Sequence, residues 1–157
     1  MPLPDQLPAL LDTEVECLRR LLATLEQEYE ALTSGDVEKL EKVTLAKNAT
    51  MAEQVALAQQ RGRIVAAAGF DNSNAGLETM VTQSVNPEPL NASLQALGEL
   101  AQQCQHYNRE NGRIIVQKQQ QTQSALNILR QSDTTAPTYS IQGTTAASED
   151  SRSLGKA

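Results

Sequence analysis

Apolar side chains recur near the start of this chain in steps of four and three: Leu11, Val15, Leu18, Leu22, Leu25, Tyr29 and Leu32. That spacing keeps one side of an α-helix apolar, and Leu10, Cys17 and Leu21 widen the stripe until it needs more than one neighbour. Glu14, Glu16, Arg19, Arg20, Glu26, Glu28 and Glu30 fill much of the remaining surface. Pro8 falls in the first turn, where its N–H would have no intrahelical partner in any case. Thr33-Ser34-Gly35-Asp36 is the stop: the glycine accepts the left-handed conformation, and Ser34 or Asp36 caps the next helix. So short a connection predicts an antiparallel return. The second helix presents Val37, Leu40, Val43, Met51, Val55 and Ala58, broadened by Leu45, Leu57, Ile64 and Val65. Lys47 falls close to that stripe. Folding about Gly35 places it near Leu22 and within reach of Glu26, so its stem covers the seam while the amine either reaches water or forms a partly buried pair with Glu26.

Ala66-Ala67-Ala68-Gly69 ends the second helix, and Phe70 to Asn74 is turn chemistry. Between Ala75 and Ser84 a short helix carries Leu77, Met80 and Val81 on one side and plugs the open end of the hairpin. Asn86-Pro87-Glu88-Pro89 then opens the longest helix, expected over Asn86 to Ser132, against which the rest of the chain is laid. Its seam runs Leu90, Leu94, Leu97, Ala101 and Cys104, continues through Asn108 and Asn111, and recovers at Ile115. An asparagine on a seam fixes register or oligomeric state, because a misaligned neighbour leaves its amide unpaired; Gly112 beside it allows close approach or a slight bend. At ~1.5 Å per residue the helix is roughly 65–70 Å long, so the fold is expected to be elongated. Gln117 to Gln123 is almost wholly polar, and beyond it Ala125, Leu126, Ile128 and Leu129 form an apolar cluster with no evident partner in the chain.

The expected class is all-α: an elongated antiparallel helical bundle or coiled coil of three long helices plus one short helix, with residues 1–132 as the bundle and 133–157 as a flexible C-terminal tail. Past Ser132 the large apolar residues are Tyr139, Ile141 and Leu154, too few to order the segment by burial. Tyr139 and Ile141 sit two apart, so in an extended chain both can enter one groove of a partner. Aromatics make up 3% of the 157 residues, so the core rests on Leu, Val, Ile and Ala. A net charge of −6 repels nucleic-acid phosphates and anionic lipid. No run approaches ~18 apolar residues and no basic-then-apolar leader is present, so neither membrane insertion nor secretion is expected; the expected location is the cytoplasm.

Chemistry is sparse. Cys17 and Cys104 lack CxxC spacing and lie on helix faces, which reads as small buried hydrophobes in a reducing compartment. The chain has one histidine, His106, with Glu110 one turn away, short of the paired Glu-x-x-His motifs of a bundle metal site. Gly62 and Gly112 stand alone inside helices, so no phosphate loop is present. No metal, cofactor or catalytic activity is expected.

The hairpin carrying Lys47, the run Asn108-Arg109-Glu110-Asn111-Gly112-Arg113-Ile114-Ile115 and the tail Thr138-Tyr139-Ser140-Ile141-Gln142-Gly143 together resemble the FlgN family of flagellar export chaperones. The resemblance implies a cytoplasmic bacterial protein that keeps hook-filament junction proteins soluble and unassembled, then delivers them to the type III export apparatus. It assigns client capture to the end of the long helix, here Ala125, Leu126, Ile128 and Leu129. Docking on the membrane-embedded export gate component falls to the tail tyrosine, here Tyr139 with Ile141 beside it. Contact with the export ATPase complex and a weak homodimer are left open. The competing expectation is a self-associating coiled-coil scaffold, since everything before Ser132 also suits a rod.

Overall fold

A computed structural model describes residues 4–135 of the chain. Four helices make up the described residues: α1 (Gln6–Ser34), α2 (Val37–Ala67), α3 (Asn74–Thr82) and α4 (Pro87–Thr135), with no strand among them. The chain falls into two units, one ending at Gln119 and one beginning at Gln120. Helix α4 runs three residues past the expected limit at Ser132, and the rest of the segment expected to be a flexible tail, Tyr139 and Ile141 included, lies outside the described residues.

The turns follow their chemistry. Gly35 takes φ 71° and ends α1, and Asp36, not Ser34, caps α2 by accepting from the Lys39 N–H at 3.0 Å. Ser73 caps α3 in the same way, accepting from Gly76 N–H at 3.1 Å.

In the first unit α1 is the central element, not α4. It buries twelve side chains, Leu7, Leu11, Leu18, Leu25 and Leu32 among them, because α2 packs on one side of it and α4 on the other. Arg20 meets Glu53, and Lys47 meets Glu28, so α2 returns antiparallel. Helix α4 runs parallel to α1, with Ser93 beside Asp12, Cys104 beside Leu18 and Asn111 beside Leu25. That is the up-down-up order of a three-helix bundle. Leu77, Met80 and Val81 of α3 are buried in one core with Leu7, Leu11, Val65 and Leu90, closing the end of the hairpin as expected.

Helix α2 departs furthest from its expected packing. It buries Val43, Thr50, Gly62 and Val65 and no other side chain. Leu45 and Val55 are 73% and 57% exposed, and Val37 and Met51 are exposed as well. The physical reason is that α2 has one long neighbour, α1. A single contact consumes one narrow row of positions, and the row that fits is Val43, Lys47, Thr50, Gln54 and Arg61, polar in its middle. Tyr29, expected on the α1 stripe, is also exposed and meets Tyr107 edge to face, with ring centroids 6.3 Å apart.

Candidate functional site

Two surfaces bear on function: the polar seam that joins the three long helices of the first unit, and the apolar end of α4 in the second. In the seam, Glu28 is almost wholly buried. Its Oε2 accepts from Lys47 Nζ at 2.6 Å and its Oε1 from Asn111 Nδ2 at 2.9 Å. Asn111 Nδ2 also donates to the Leu25 carbonyl at 3.0 Å. One carboxylate therefore ties α2 and α4 to α1. The expected partner of Lys47, Glu26, is exposed instead, because a residue two positions further along α1 faces the helix that returns. Asn108, expected to share the seam with Asn111, is exposed, and Gly112 is half-buried with open space where a Cβ would project.

Further back along α1, Glu14 is 0% exposed and is paired with Arg61, while Gln54 Nε2 donates to it at 3.4 Å. Burial pushes its carboxyl above the ordinary range, against the opposing pull of Arg61 and of the hydrogen bonds from Arg61 and Gln54. Sequence reasoning puts Glu14 and Glu28 on the solvated side, and the structure corrects it. The missed signal is a seven-residue repeat: Leu7, Glu14, Leu21 and Glu28 share one row of α1, and Lys47, Gln54 and Arg61 share one row of α2.

The cysteines are inert. Cys17 is buried with Sγ against the Thr50 carbonyl at 3.6 Å, and Cys104 with Sγ against Leu18 O at 3.7 Å. Burial raises both thiols above their ordinary range, which disfavours the thiolate a nucleophile requires. His106 is exposed, Glu110 accepts from Arg113 at 2.7 Å, and no cluster of metal-binding side chains exists among the described residues.

At the end of α4 the whole stretch from Val116 to Thr134 is exposed. Leu126, Ile128 and Leu129 are 44%, 65% and 60% exposed, and Ala125 lies open beside them. Their positions span less than half of the helix circumference, so they present one apolar face. The preceding Gln-rich stretch is exposed too, and a helix polar all round contributes nothing to such a face.

The described residues are all-helical, with an exposed apolar face at the end of α4 of the kind that binds other proteins. A sequence-family model described as FlgN protein matches residues 1–147. The chain belongs to the FlgN family, and so to the chaperones of flagellum synthesis. Its fold is similar to the crystal structure of a flagella synthesis protein FlgN from Pseudomonas aeruginosa, with 30% sequence identity, a TM-score of 0.67, and coverage of 82% of this chain and 99% of the other. Among curated proteins none matches. No helix among the described residues is long and apolar enough to cross a membrane.

Proposed function

We propose that this protein is a cytoplasmic export chaperone that holds hook-filament junction proteins in an unassembled state and delivers them to the flagellar type III export gate. One observation carries the reading: Leu126, Ile128 and Leu129 stand on one exposed face at the end of α4. Junction proteins assemble through amphipathic terminal helices, and such a helix can lay its apolar side on this face in the helix-in-groove manner. Fully burying a leucine or isoleucine contributes about 1.5–3 kcal/mol, and these three are 44%, 65% and 60% exposed, so the face offers roughly 0.7–2 kcal/mol per side chain. The client surface is thus Ala125, Leu126, Ile128 and Leu129. Tyr139 and Ile141 dock on the gate component, and Asn111 fixes helix register.

Native mass spectrometry of the protein mixed with candidate junction proteins tests capture. Leu126→Asp together with Leu129→Asp replaces apolar contact with two carboxylates and is expected to weaken capture by about a hundredfold or more, a loss of ~2.7 kcal/mol. Helical circular dichroism stays nearly unchanged. Undiminished capture by the double variant removes this surface from the function. Tyr139→Ala is expected to leave capture intact and to slow delivery; equal loss of both argues against two separate surfaces.

A further inference from the structure

In the first unit α1, α2, α3 and α4 meet around a cleft of about 420 Å³. Leu18 of α1 and Leu97 and Gly98 of α4 give it an apolar side, Glu14 and Gln54 a polar one, and the exposed Glu78 of α3 stands at its rim. Two features of this cleft are unexplained by the chain's own packing. Glu14 Oε1 and Gln54 Oε1 are buried and have no hydrogen-bond donor, although buried acceptors are nearly always satisfied. Gly98 interrupts a long helix, where glycine is unfavourable relative to alanine, yet a Cβ there would meet nothing within 4 Å. No internal neighbour demands the glycine. Gly98 is exposed, and the space in front of it is free for something else to enter.

Arg61 also lines the cleft and already pairs with Glu14, so the occupant has to bring apolar side chains, hydrogen-bond donors for the buried acceptors, and positive charge for Glu78 at the rim. The end of α4 carries that combination on one face: Leu126, Leu129 one turn on, and Arg130 four residues after Leu126. We propose that the cleft receives the end of α4 from a second copy of the chain. Leu126 and Leu129 enter against Leu18 and Leu97 over Gly98, and Arg130, with five N–H donors, pairs with Glu78 at the rim and donates toward Gln54. The contact is reciprocal between two copies and reversible. On the reading of Ala125 to Leu129 as the client surface, this dimer is also the resting state that covers that surface until a client displaces it; the cleft assignment itself does not depend on that reading.

Sedimentation velocity on the full chain, from low to high micromolar concentration, tests the proposal. The wild-type protein is expected to dimerise reversibly. Gly98→Leu fills the cleft from a position with room for the side chain, so it folds normally by circular dichroism and its dimerisation weakens by about tenfold or more. Arg130→Glu weakens it similarly, and adding Glu78→Arg to that variant restores it. A wild-type chain that stays monomeric throughout overturns the proposal, as does a dimer indifferent to Gly98→Leu and to the charge exchange. Capture of junction proteins is read in parallel. Gly98→Leu is expected to retain it; its loss together with dimerisation would make the cleft the client's site and overturn the assignment to a second copy. Dimerisation that responds as expected while no variant captures a client would leave the cleft assigned and refute the chaperone surface alone.

Discussion

Replacing Arg61 with methionine isolates the charge of Glu14, because methionine keeps most of the buried stem while removing the guanidinium. Glu14 is fully buried, so once Arg61 is gone its carboxylate retains Gln54 as its nearest donor, at 3.4 Å. An uncompensated buried charge costs about 3–5 kcal/mol, but the carboxyl can take up a proton instead. Protonating a glutamate of ordinary acidity, with a value of ~4.3, costs about 3.7 kcal/mol at pH 7 and about 1 kcal/mol at pH 5, which sets a ceiling on the loss. Burial already holds Glu14 above its ordinary range in the wild type, so part of that ceiling is used up before the substitution. The expected destabilisation is therefore about 2–3 kcal/mol at pH 7 and under ~1 kcal/mol at pH 5. The sign comes from linkage: a carboxyl whose folded value lies above its unfolded one loses stability as pH rises between the two, and removing Arg61 stretches that interval upward. Urea unfolding followed by circular dichroism at both pH values measures it. Adding Glu14→Gln to the variant is expected to recover most of the loss at pH 7. A loss equal at the two pH values, or below ~0.5 kcal/mol at pH 7, would refute the reasoning.

Asn111→Leu removes the donor shared by Leu25 O and Glu28 Oε1, and thermal unfolding is expected to show a loss of about 1–3 kcal/mol. Gly76→Ala drives a Cβ into the Asp71 carbonyl, a backbone atom that cannot swing aside; α3 is expected to detach, with increased amide exchange at Leu77 to Val81. Gly98→Ala adds helix propensity in open space, so chemical denaturation is expected to show a gain of about 0.5–1 kcal/mol.

The apolar rows of α1 and the near half of α4 are legible in the sequence because each faces neighbours that take up a full stripe, and Leu77, Met80 and Val81 likewise meet the core they are expected to meet. The turns are legible for local reasons: Gly35 and Asp36 act through the backbone beside them. Helix α2 is misread because hydrophobic periodicity counts apolar residues wherever they fall, and in α2 they fall on both sides of a row whose middle is Lys47, Thr50 and Gln54. Glu14 and Glu28 are misread for the matching reason, since a carboxylate is assumed solvated until its cation is found on another helix. The end of α4 reads as apolar and partnerless in the sequence, and its side chains stand exposed in the structure.

Polar side chains at the α1–α2 contact are better understood as register marks than as sources of stability. Glu14 faces Arg61 and Glu28 faces Lys47, so both pairs share one antiparallel alignment. Leu21 and Gln54 occupy the matching positions between them. Sliding α2 by one heptad would keep one of its two buried valines against α1 and carry the other past an end of that helix, and it would set Glu14 opposite Gln54 or Ala68, and Glu28 opposite Leu40 or Gln54. Neither acid would then meet a cation. Taking the loss of about 2–3 kcal/mol expected for Glu14 without its cation as typical of each acid, the slipped hairpin loses roughly 4–6 kcal/mol relative to the native one, a large share of the stability of a small domain. Burial of Val43 and Val65 discriminates less strongly, since the one valine lost in the slip contributes about 1.5–3 kcal/mol. The alignment is transmitted to α4 through Glu28, because the carboxylate that receives Lys47 also receives Asn111. A helix that leaves most of its apolar surface exposed is thereby held in one place, and α4 is set in register by the same carboxylate.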